Sequence, residues 1–525
     1  MPRLLLALVA LLAIPAAAQS LPFTVEVVER TQANAPALHS GAVAHHGGDW
    51  LFVTGRTDGI HPMINPTSAF PHEFSNGAIV VYEPATDTRW TAPLSSLPAD
   101  VERSLRVTNP QFHQEGETLY VAGGYGVNTA GAYVTFNTLT AIDVPGMIEA
   151  VRTGGAIAPH LRQTSADFLA VTGGHLVREA SGRYVIAGGH RYNGRYLGPD
   201  EDQVYTDALR RFTISDDGTT LSVEEFAEEV DAARFHRRDG NIAPFALPNG
   251  ETGFALYGGV FTPLTLPYRT PVIVMPTGTV EMPFETRFGH YTTPVLPMIT
   301  AEGDMHTVFF GGMNLFKVNN TTGAVTQDSS VPFTDDVTSF MIAADGVMEE
   351  TILPLVLPGL LGTNAHLVPA DGLPRTSNGV LRLDELTGRT RVGTIHGGIE
   401  ADIEHPAFTG AHLTASRASA RTLDVYVTAQ PVSDEPGAPA RVLALSEALP
   451  NPTDGAASFA LTLASPANVR AEAFDALGRR VAVLHEGALP AGAHRLVLAD
   501  GLAAGVYVVR ATAGGEALAR RVVVR

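Results

Sequence analysis

The feature that most constrains this chain is an apolar run ending in glycine that recurs six times. The runs read LFVTGR at Gly55, LYVAGG at Gly123, YVIAGG at Gly188, FALYGG at Gly258, VFFGG at Gly311 and VGTIHGG at Gly397. Successive intervals are 68, 65, 70, 53 and 86 residues. Self-similarity at such a period is typical of repeat folds in which each unit buries its apolar surface against its neighbours. The sequence from Phe23 to Gln430 therefore predicts one large repeat domain of six units.

Several units add a second apolar run about two dozen residues later. These runs are GAIVVYEPATDTRW from Gly77, GAYVTFNT from Gly131, TPVIVM from Thr270 and LDVYV from Leu423. Short runs rich in Val, Phe, Tyr and Thr between Gly, Pro, Asn and Asp predict strands and turns, and long helical periodicity is scarce. The acidic stretch from Val223 to Ala233 is interpreted as an insertion or a strand edge. We predict an all-β fold.

The glycine pair that closes the second strand of a unit, with a Tyr82 to Trp90 stretch after it in the first unit, resembles the kelch motif. The resemblance implies a kelch-like β-propeller at residues 19–431. The spacing favours six blades, and five or seven remain open. Units longer than a kelch repeat of about 50 residues imply long loops. A glycine pair permits positive φ and close backbone approach, so these glycines are interpreted as structural.

The two ends of this domain are predicted to meet. FTVEVVERTQ from Phe23 is an orphan strand at the start, and RTLDVYVTA near Leu423 lacks a fourth strand after it. Pairing the two would close the ring and leave no long sheet edge to aggregate.

Candidate binding residues lie where a kelch-like propeller opens its inner strands and carries the loops after its glycine pairs. They are His39, Arg56, Asp58, His61, Asn109, His190, Arg191, Arg237, Arg238, Asn241, His290 and Tyr291. Convergent groups of this kind could hydrogen-bond a sugar or a peptide. The alternative is that they bond water and one another along a wet channel.

Two charged stretches have their own interpretations. The cluster RFHRRDGN, from Arg234 to Asn241, could receive a carboxylate, or it could neutralise the acidic EEFAEEVD just upstream. Glu400, Asp402 and Glu404 offer oxygen ligands for calcium in a loop without the glycine spacing of a defined calcium site, and solvated acidic loops are common. No metal or other cofactor is expected.

The C-terminal residues resemble the sorting domain of type IX secretion cargo in bacteria. The features that carry the resemblance are Pro450, Asn451, Pro452, Gly478, Arg479, Gly505, Tyr507 and a basic, Val-rich last strand. It implies that residues 445–525 are recognised by the outer-membrane translocon and replaced by a surface anchor. The alternating pattern suits a small immunoglobulin-like β-sandwich, with residues 432–444 as a Pro/Gly linker. A carbohydrate-binding module is the alternative.

The N-terminal residues agree with export. Arg3, an apolar stretch from Leu4 to Ile14 and the small residues Ala16 to Ala18 form a secretory signal over residues 1–18. That stretch is shorter than a transmembrane helix requires. We expect an extracellular or outer-membrane-surface protein. The net charge is −19, with −20 on residues 1–441 and +1 on the tail from Val442. The acidic body disfavours nucleic acid and anionic membranes as partners.

Several enzyme classes are excluded. The chain has no cysteine, so it has no disulfide, thiolate metal site or cysteine nucleophile. It also lacks the G-x-S-x-G, H-E-x-x-H and phosphate-loop signatures. The leading hypothesis is a glycan- or peptide-binding module, and the rival is a carbohydrate-active enzyme, mutarotase- or lyase-like, working in the channel. A structural surface protein is the third possibility.

Overall fold

The computed structural model describes residues 21–525 except 65–67, 321–322, 411, 431–442, 447, 449–450, 454, 464–465, 476–478, 491 and 514–515. The expected signal peptide (1–18), Pro450, Gly478 and most of the expected linker (432–444) lie outside these residues. Internal contacts divide the chain into two compact units, residues 1–430 and residues 431–525. Strands dominate both units, so the all-β prediction is confirmed.

The first half of unit 1 contains three four-strand antiparallel meanders. Strand β1 (Phe23–Arg30) precedes sheet 1, which is β2 (Ala42–His46), β3 (Asp49–Val53), β4 (Ala78–Glu83) and β5 (Thr88–Pro93). Strand β6 (Val107–Thr108) precedes sheet 2, which is β7 (Gln111–Glu115), β8 (Thr118–Ala122), β11 (Thr138–Asp143) and β12 (Leu161–Ser165), and β6 pairs with the hairpin β9 (Tyr125–Val127) and β10 (Tyr133–Thr135). Sheet 3 is β13 (His175–Arg178), β14 (Tyr184–Ala187), β17 (Ala208–Asp216) and β18 (Leu221–Val230), with the hairpin β15 (His190–Asn193) and β16 (Asp202–Tyr205) inserted.

The second half follows the same plan. Sheet 4 is β19 (Asn241–Ala246), β20 (Thr252–Tyr257), β21 (Val272–Met275) and β22 (Gly278–Glu281). Sheet 5 is β23 (Val295–Ile299), β24 (Met305–Met313), β27 (Phe333–Ile342) and β28 (Met348–Val356), with the hairpin β25 (Phe316–Val318) and β26 (Val325–Gln327). Sheet 6 is β29 (Leu360–Pro369), β31 (Arg389–Ala401) and β33 (Thr422–Ala429), joined by β1; the short β30 (Leu381–Arg382) pairs with β23, and β32 (Ser416–Ala418) pairs with β31.

Helices are short and lie between strands. The α-helices are α1 (Ala99–Leu105), α2 (Val144–Thr153), α3 (Ala232–Phe235) and α4 (His412–Ala415). Short 3-10 helices span His72–Phe74, Leu94–Ser96, Ala158–His160, Asp167–Leu169, Leu383–Glu385 and Pro406–Phe408. The Val223–Ala233 stretch is mostly the outermost strand of sheet 3, as the strand-edge interpretation had it. None of the described helices is both long and apolar enough to span a bilayer.

The apolar runs are continuous because the second strands are covered on both faces. In β14, Tyr184 and Ile186 pack in a cluster with sheet 2, while Val185 and Ala187 pack in a cluster with sheet 4. Alternate residues of a strand point to opposite faces, so one strand serves two interfaces. Burying one such side chain contributes about 1.5–3 kcal/mol. Similar clusters join each sheet to the next along the chain.

Sheet 6 and sheet 1 also pack together. Val368 shares a cluster with Trp50 and Tyr82, and the Gly398 N–H donates to the Leu38 carbonyl at 2.9 Å. Strand β1 pairs with β33 over eight residues, from Phe23 opposite Ala429 to Arg30 opposite Thr422. The predicted pairing of the two ends of this domain is therefore confirmed.

The glycine pairs share one backbone conformation. At Gly123 and Gly124 the φ angles are 65° and 92°, and the other pairs have similar values. In sheet 1, Thr54 occupies the position of the first glycine and has the same conformation. A Cβ on Gly123 would lie 2.2 Å from the Val171 carbonyl oxygen, and the Gly124 N–H donates to that same oxygen at 2.8 Å. The pairs thus let each second strand end in close contact with the next sheet, as the structural interpretation expected.

Unit 2 contains two antiparallel sheets. One is β34 (Leu443–Leu445), β35 (Ala457–Leu463) and β38 (Gly492–Leu498); the other is β37 (Arg480–Leu489), β36 (Ala467–Phe474), β39 (Gly505–Ala513) and β40 (Glu516–Val524). Phe459 and Leu461 of the first share one apolar cluster with Val469, Val509 and Val522 of the second. Alternate residues of each strand supply this cluster, which is the pattern of a half-buried sheet.

Candidate functional site

Two or three residues before the first strand of sheets 1 to 5, and inside β29 of sheet 6, lies one residue of a set of six that we call the ring. These residues are Ser40, Asn109, Gly173, Asp239, Thr292 and Asn364. Five backbone hydrogen bonds join them in series, from Asn109 N to Ser40 O, Gly173 N to Asn109 O, Asp239 N to Gly173 O, Thr292 N to Asp239 O and Asn364 N to Thr292 O, at 2.8–3.0 Å. All of them except Thr292 have φ between 49° and 67°, a conformation that Asn, Asp and Gly tolerate best.

The ring adjoins two cavities. The strand cavity has a volume of about 230 Å³ and is lined by all six ring residues and the first-strand residues that follow them. The loop pocket has a volume of about 70 Å³ and is lined by residues before the first strands and in the loops after the glycine pairs. Its polar lining includes His39, Arg56, Asp58, His61, Asn109, His190, Arg238, Asp239 and Tyr291.

Arg56 and Asp58 form the first ion pair of the loop pocket. Arg56 Nε and Nη2 donate to Asp58 Oδ1 and Oδ2 at 2.8 and 2.6 Å, and both side chains are more than nine-tenths buried. His39 Nε2 lies 3.5 Å from Asp58 Oδ1. Burial favours the neutral acid, but His39 and Arg56 outweigh burial and lower the pKa of Asp58. Burial lowers the pKa of His39, so this imidazole is neutral at pH 7.

Arg238 and Asp239 form the second pair. Arg238 Nη1 donates to Asp239 Oδ2 at 2.5 Å, and the Tyr291 hydroxyl donates to the same oxygen at 3.2 Å. Asn109 Nδ2 donates to Asp239 Oδ1 at 3.2 Å. Burial opposes the charge of Arg238, but the facing Asp239 carboxylate outweighs it and raises the pKa of Arg238 well above its ordinary value. Burial, then Asp239, raises the pKa of Tyr291.

Aromatic side chains form one wall of the loop pocket. His61 lies 5.0 Å from Phe70 and 4.7 Å from Tyr196 between ring centroids, and Tyr125 lies 5.7 Å from Phe70 and 5.6 Å from Tyr192. These are edge and tilted contacts, the geometry that aromatic pairs prefer. Burial lowers the pKa of His61 to about 4, so this ring is also neutral at pH 7.

His190 completes the polar lining on the side of sheet 3. Its Nδ1 lies 2.7 Å from Gln203 Nε2, which donates to it, and its ring lies 5.5 Å from that of Tyr205. Burial and then the charge of Arg238 lower the pKa of His190 well below its ordinary value. Nδ1 is therefore an acceptor, which leaves Nε2 as the N–H donor.

The loop pocket is electrically balanced. Its two arginines each bind a carboxylate of their own, and its three histidines are neutral. Hydroxyl, amide, imidazole and carboxylate groups face it together with apolar ring faces. Such a lining can both donate to and accept from a ligand that carries no net charge.

Eight of the twelve candidate binding residues line the loop pocket: His39, Arg56, Asp58, His61, Asn109, His190, Arg238 and Tyr291. Four do not. Arg191 points outward and pairs with Asp202 at 2.8 Å. Asn241 lies in the strand cavity, and Arg237 is buried between sheets 3 and 4. His290 is buried and stacks on Phe309 at 3.9 Å.

The sequence reasoning missed three aromatic residues of this pocket. Phe70, Tyr192 and Tyr196 line it, and the first lies on the long loop between β3 and β4. Tyr192 and Tyr196 stand in HRYNGRYLG, directly after the glycine pair of sheet 3. Two tyrosines so soon after a glycine pair were the sequence signal that could have indicated an aromatic wall in this pocket.

The acidic residues considered for calcium separate into two groups. Glu400 and Asp402 share Arg417, at 2.7 and 3.0 Å. Glu404 Oε2 accepts from Lys317 at 2.6 Å and lies in a cluster with Asp328 and His405, the one such group of three potential ligands in the described part of the chain. His405 Nε2 is 3.0 Å from Asp328. Local cations thus already face these carboxylates.

The described residues of the expected sorting motif have structural contacts within unit 2. Asn451 Oδ1 accepts from Val523 N at 2.9 Å, and its Nδ2 donates to Arg521 O at 3.0 Å. The Tyr507 hydroxyl donates to Ala503 O at 2.7 Å. Arg479 pairs with Asp475, Gly505 begins β39, and Pro452 follows Asn451 in a turn.

No protein-family model and no curated protein matches this chain. Similar solved structures include one titled "Structure of YjhT", 12% identical over 71% of this chain and 94% of that chain, with a TM-score of 0.41. An α-L-arabinanase of Penicillium chrysogenum complexed with arabinobiose is 13% identical over 78% and 98%, with a TM-score of 0.36. The β-propeller domain of the Trilobed protease from Pyrococcus furiosus is 11% identical over 63% and 97%, with a TM-score of 0.23. At these values the likenesses carry no argument about ligand or activity.

Proposed function

We propose that unit 1 is a six-bladed kelch-like β-propeller that binds an uncharged glycan in the loop pocket. The propeller assignment is supported by six consecutive meanders that each pack on the next, by the glycine pairs, and by the β1–β33 pairing that completes sheet 6. A closed ring of this kind leaves the loop ends of its sheets around one axis, where ligand sites of repeat folds are found.

The observation that carries the glycan proposal is the charge balance beside an aromatic wall. Arg56 and Arg238 are neutralised by buried carboxylates, so neither has a free charge for an acidic ligand. Sugar hydroxyls donate and accept, which suits the carboxylate oxygens and the imidazole and phenol groups facing the pocket. Tyr196 and Phe70 offer ring faces for the apolar face of a sugar.

The same features weigh against a peptide as the ligand. The pocket is small, at about 70 Å³, which leaves no room for an extended chain. The pocket also presents side chains and no unpaired strand edge of the kind that adds a peptide strand. We therefore favour the end of a neutral glycan.

The test uses the full chain on a glycan array, followed by calorimetry with the best glycan. Tyr196→Ala removes an aromatic face of the pocket and should weaken binding at least tenfold. Arg191→Ala is the matched control, because Arg191 lies on the neighbouring β15 strand but points to solvent. Binding only of acidic glycans, or equal effects of the two variants, would contradict the proposal.

A carbohydrate-active enzyme is the second candidate, and the His39–Asp58 contact favours it. A neutral imidazole beside an ionised carboxylate is the arrangement of an oriented general base. The bound glycan should then change in an NMR time course with the full chain, and His39→Gln should stop the change while retaining binding. If the glycan binds but does not change over days, the enzyme candidate is contradicted and the binding function remains.

Export by a type IX system to the outside or the outer-membrane surface is proposed for the whole protein. It is supported by the resemblance of residues 445–525 to sorting domains. It is also supported by the basic end of the chain, in which Arg520 and Arg521 precede three valines and Arg525. In a host with this system, the full chain should reach the surface and a chain ending at Gln430 should stay in the periplasm. Equal export of both chains would rule out the sorting role.

A further inference from the structure

Arg237 is a buried cation without a carboxylate. Only 5% of the residue is exposed, and no ion pair joins it to an acidic side chain among the described residues. The side chain of its neighbour Arg238 is 11% exposed and binds Asp239. A buried charge with no counter-charge is costly, because the surrounding protein solvates it poorly.

The contacts of Arg237 use only part of its guanidinium. Nη1 donates to the Gly258 carbonyl at 3.3 Å, and the group lies over the Tyr268 ring, 4.5 Å from its centroid. Nε and Nη2 are buried and have no hydrogen-bond partner. Burial lowers the pKa of Arg237 to about 10, which still leaves it cationic at neutral pH.

A cavity of about 20 Å³ adjoins this region between sheets 3 and 4. Its lining includes Arg237, Gly188, Gly258 and His175. His175 Nε2 is a second buried nitrogen without a hydrogen-bond partner. Such a volume holds one small ion or one water and excludes phosphate, sulfate or the carboxylate of a larger ligand.

We propose that Arg237 binds a small monovalent anion, chloride or bromide, between sheets 3 and 4. The anion accepts from Nε and Nη2 and neutralises a charge that forms no ion pair among the described residues. Binding at this position joins the Gly258 end of sheet 4 to sheet 3, so the ion acts as part of the fold. The site is separate from the loop pocket, so its test is independent of the glycan proposal.

The direct test is bromide anomalous diffraction on crystals of the full chain grown in sodium bromide. An anomalous peak within hydrogen-bond distance of the Arg237 guanidinium is expected. A site without bromide, holding a water or nothing, would overturn the proposal. This experiment needs no variant, so it stands even where a substitution prevents folding.

A solution test follows the melting temperature in sodium bromide against sodium gluconate at equal ionic strength. The wild type should show a saturable rise in Tm of a few degrees with bromide, because a ligand that binds only the folded state stabilises it. Arg237→Met should lose that saturable rise. Arg191→Met is the control and should keep it; loss in both variants, or in neither, contradicts the assignment.

Discussion

The loop pocket and the strand cavity adjoin the same ring of residues, but they differ in chemistry. The loop pocket contains two arginines and two carboxylates, whose side chains are at most 11% exposed, and a cluster of aromatic rings. The strand cavity is about three times larger, and its described lining is mostly Gly, Pro, Thr, Asn and apolar residues, with Asp239 as its charged group. Loops thus supply the reactive side chains of this fold, and strands supply its geometry.

In the strand cavity, Asn241 serves the neighbouring sheet. Asn241 Nδ2 donates to the His290 carbonyl at 2.8 Å, and Asn241 Oδ1 accepts from Thr293 N at 2.7 Å. Both contacts join sheet 4 to sheet 5. Asn241 of the strand cavity is therefore committed to the fold, whereas the polar side chains of the loop pocket also face a space that a ligand can use.

The largest effect is expected at the first ion pair. Asp58→Ala leaves Arg56 buried without its counter-charge, so the free energy of unfolding should fall by about 3–5 kcal/mol. Denaturant unfolding of the full chain measures this change. Asp402→Ala is the control, since Asp402 and Arg417 are half exposed and their pair is worth less than about 1 kcal/mol. Similar losses in both variants would mean that an unpaired Arg56 in the loop pocket costs no more free energy than an unpaired Arg417 at the surface.

The glycine pairs come next, because they determine how each second strand meets the following sheet. A Cβ on Gly258 would lie 2.2 Å from the His290 carbonyl oxygen, at a φ of 61°. Gly258→Ala should cost about 3 kcal/mol of unfolding free energy, which combines backbone strain with the steric clash. Gly116 has a φ of 57° with nothing within 4 Å of a Cβ, so Gly116→Ala should cost about 1 kcal/mol. Equal losses of unfolding free energy in the two variants would contradict a steric role for the glycine pair.

A smaller loss is expected in the strand cavity. Asn241→Ala leaves the His290 carbonyl and the Thr293 N–H unpaired in a buried place, so unfolding free energy should fall by about 1–3 kcal/mol. Glycan affinity should stay unchanged, as calorimetry with the array-selected glycan would show. Asn34→Ala, which removes an exposed hydrogen bond to Asp87, is the control and should be near neutral. Loss of affinity in Asn241→Ala would break the separation of the two cavities.

Much of the fold could be predicted from the sequence because its repeat is encoded locally. A strand covered on both faces must be apolar throughout, and a strand that ends against a neighbouring backbone must end in glycine, so β8, β14 and β20 are visible as apolar runs before Gly123, Gly188 and Gly258. The pairing of β1 with β33 could also be predicted, because both ends lacked a partner.

The inserted hairpins and the ring of left-handed residues could not be predicted in the same way. The hairpin β15–β16 lies in a polar loop, and its position depends on contacts such as that of Thr135 Oγ1 with the Tyr192 carbonyl, 57 residues away. Ser40 is not of a residue type that favours positive φ, and nothing in the sequence distinguishes Asn364 from the other asparagines. Each adopts that conformation because the neighbouring sheet offers a backbone hydrogen bond.

The positions of the polar side chains in the candidate site follow from the repeat, whereas their individual partners do not. Residues before the first strands and after the glycine pairs lie together, because the repeat places equivalent points of the sheets beside the same two cavities. The two adjacent arginines could not be distinguished. Arg238 faces the loop pocket and Arg237 lies between sheets, since successive residues of an extended segment point in opposite directions.

At pH 7 the smallest effect is expected at the buried histidines, and acid should not distinguish the two cavities. Burial lowers the pKa to about 4 for His61 in the loop pocket and for His366 in the strand cavity. An unfolded histidine titrates near 6.5, so between pH 6.5 and 4 the unfolded chain binds more protons and stability falls as pH falls. Each histidine contributes a slope of up to about 1.4 kcal/mol per pH unit.

His61→Asn and His366→Asn should each flatten the stability profile measured by denaturant unfolding between pH 4.5 and 7, a window above the range in which Asp58 titrates. The two effects should add in the double variant, because the side chains lie in different cavities. A flattening by only one of them would show that one cavity alone admits protons without unfolding.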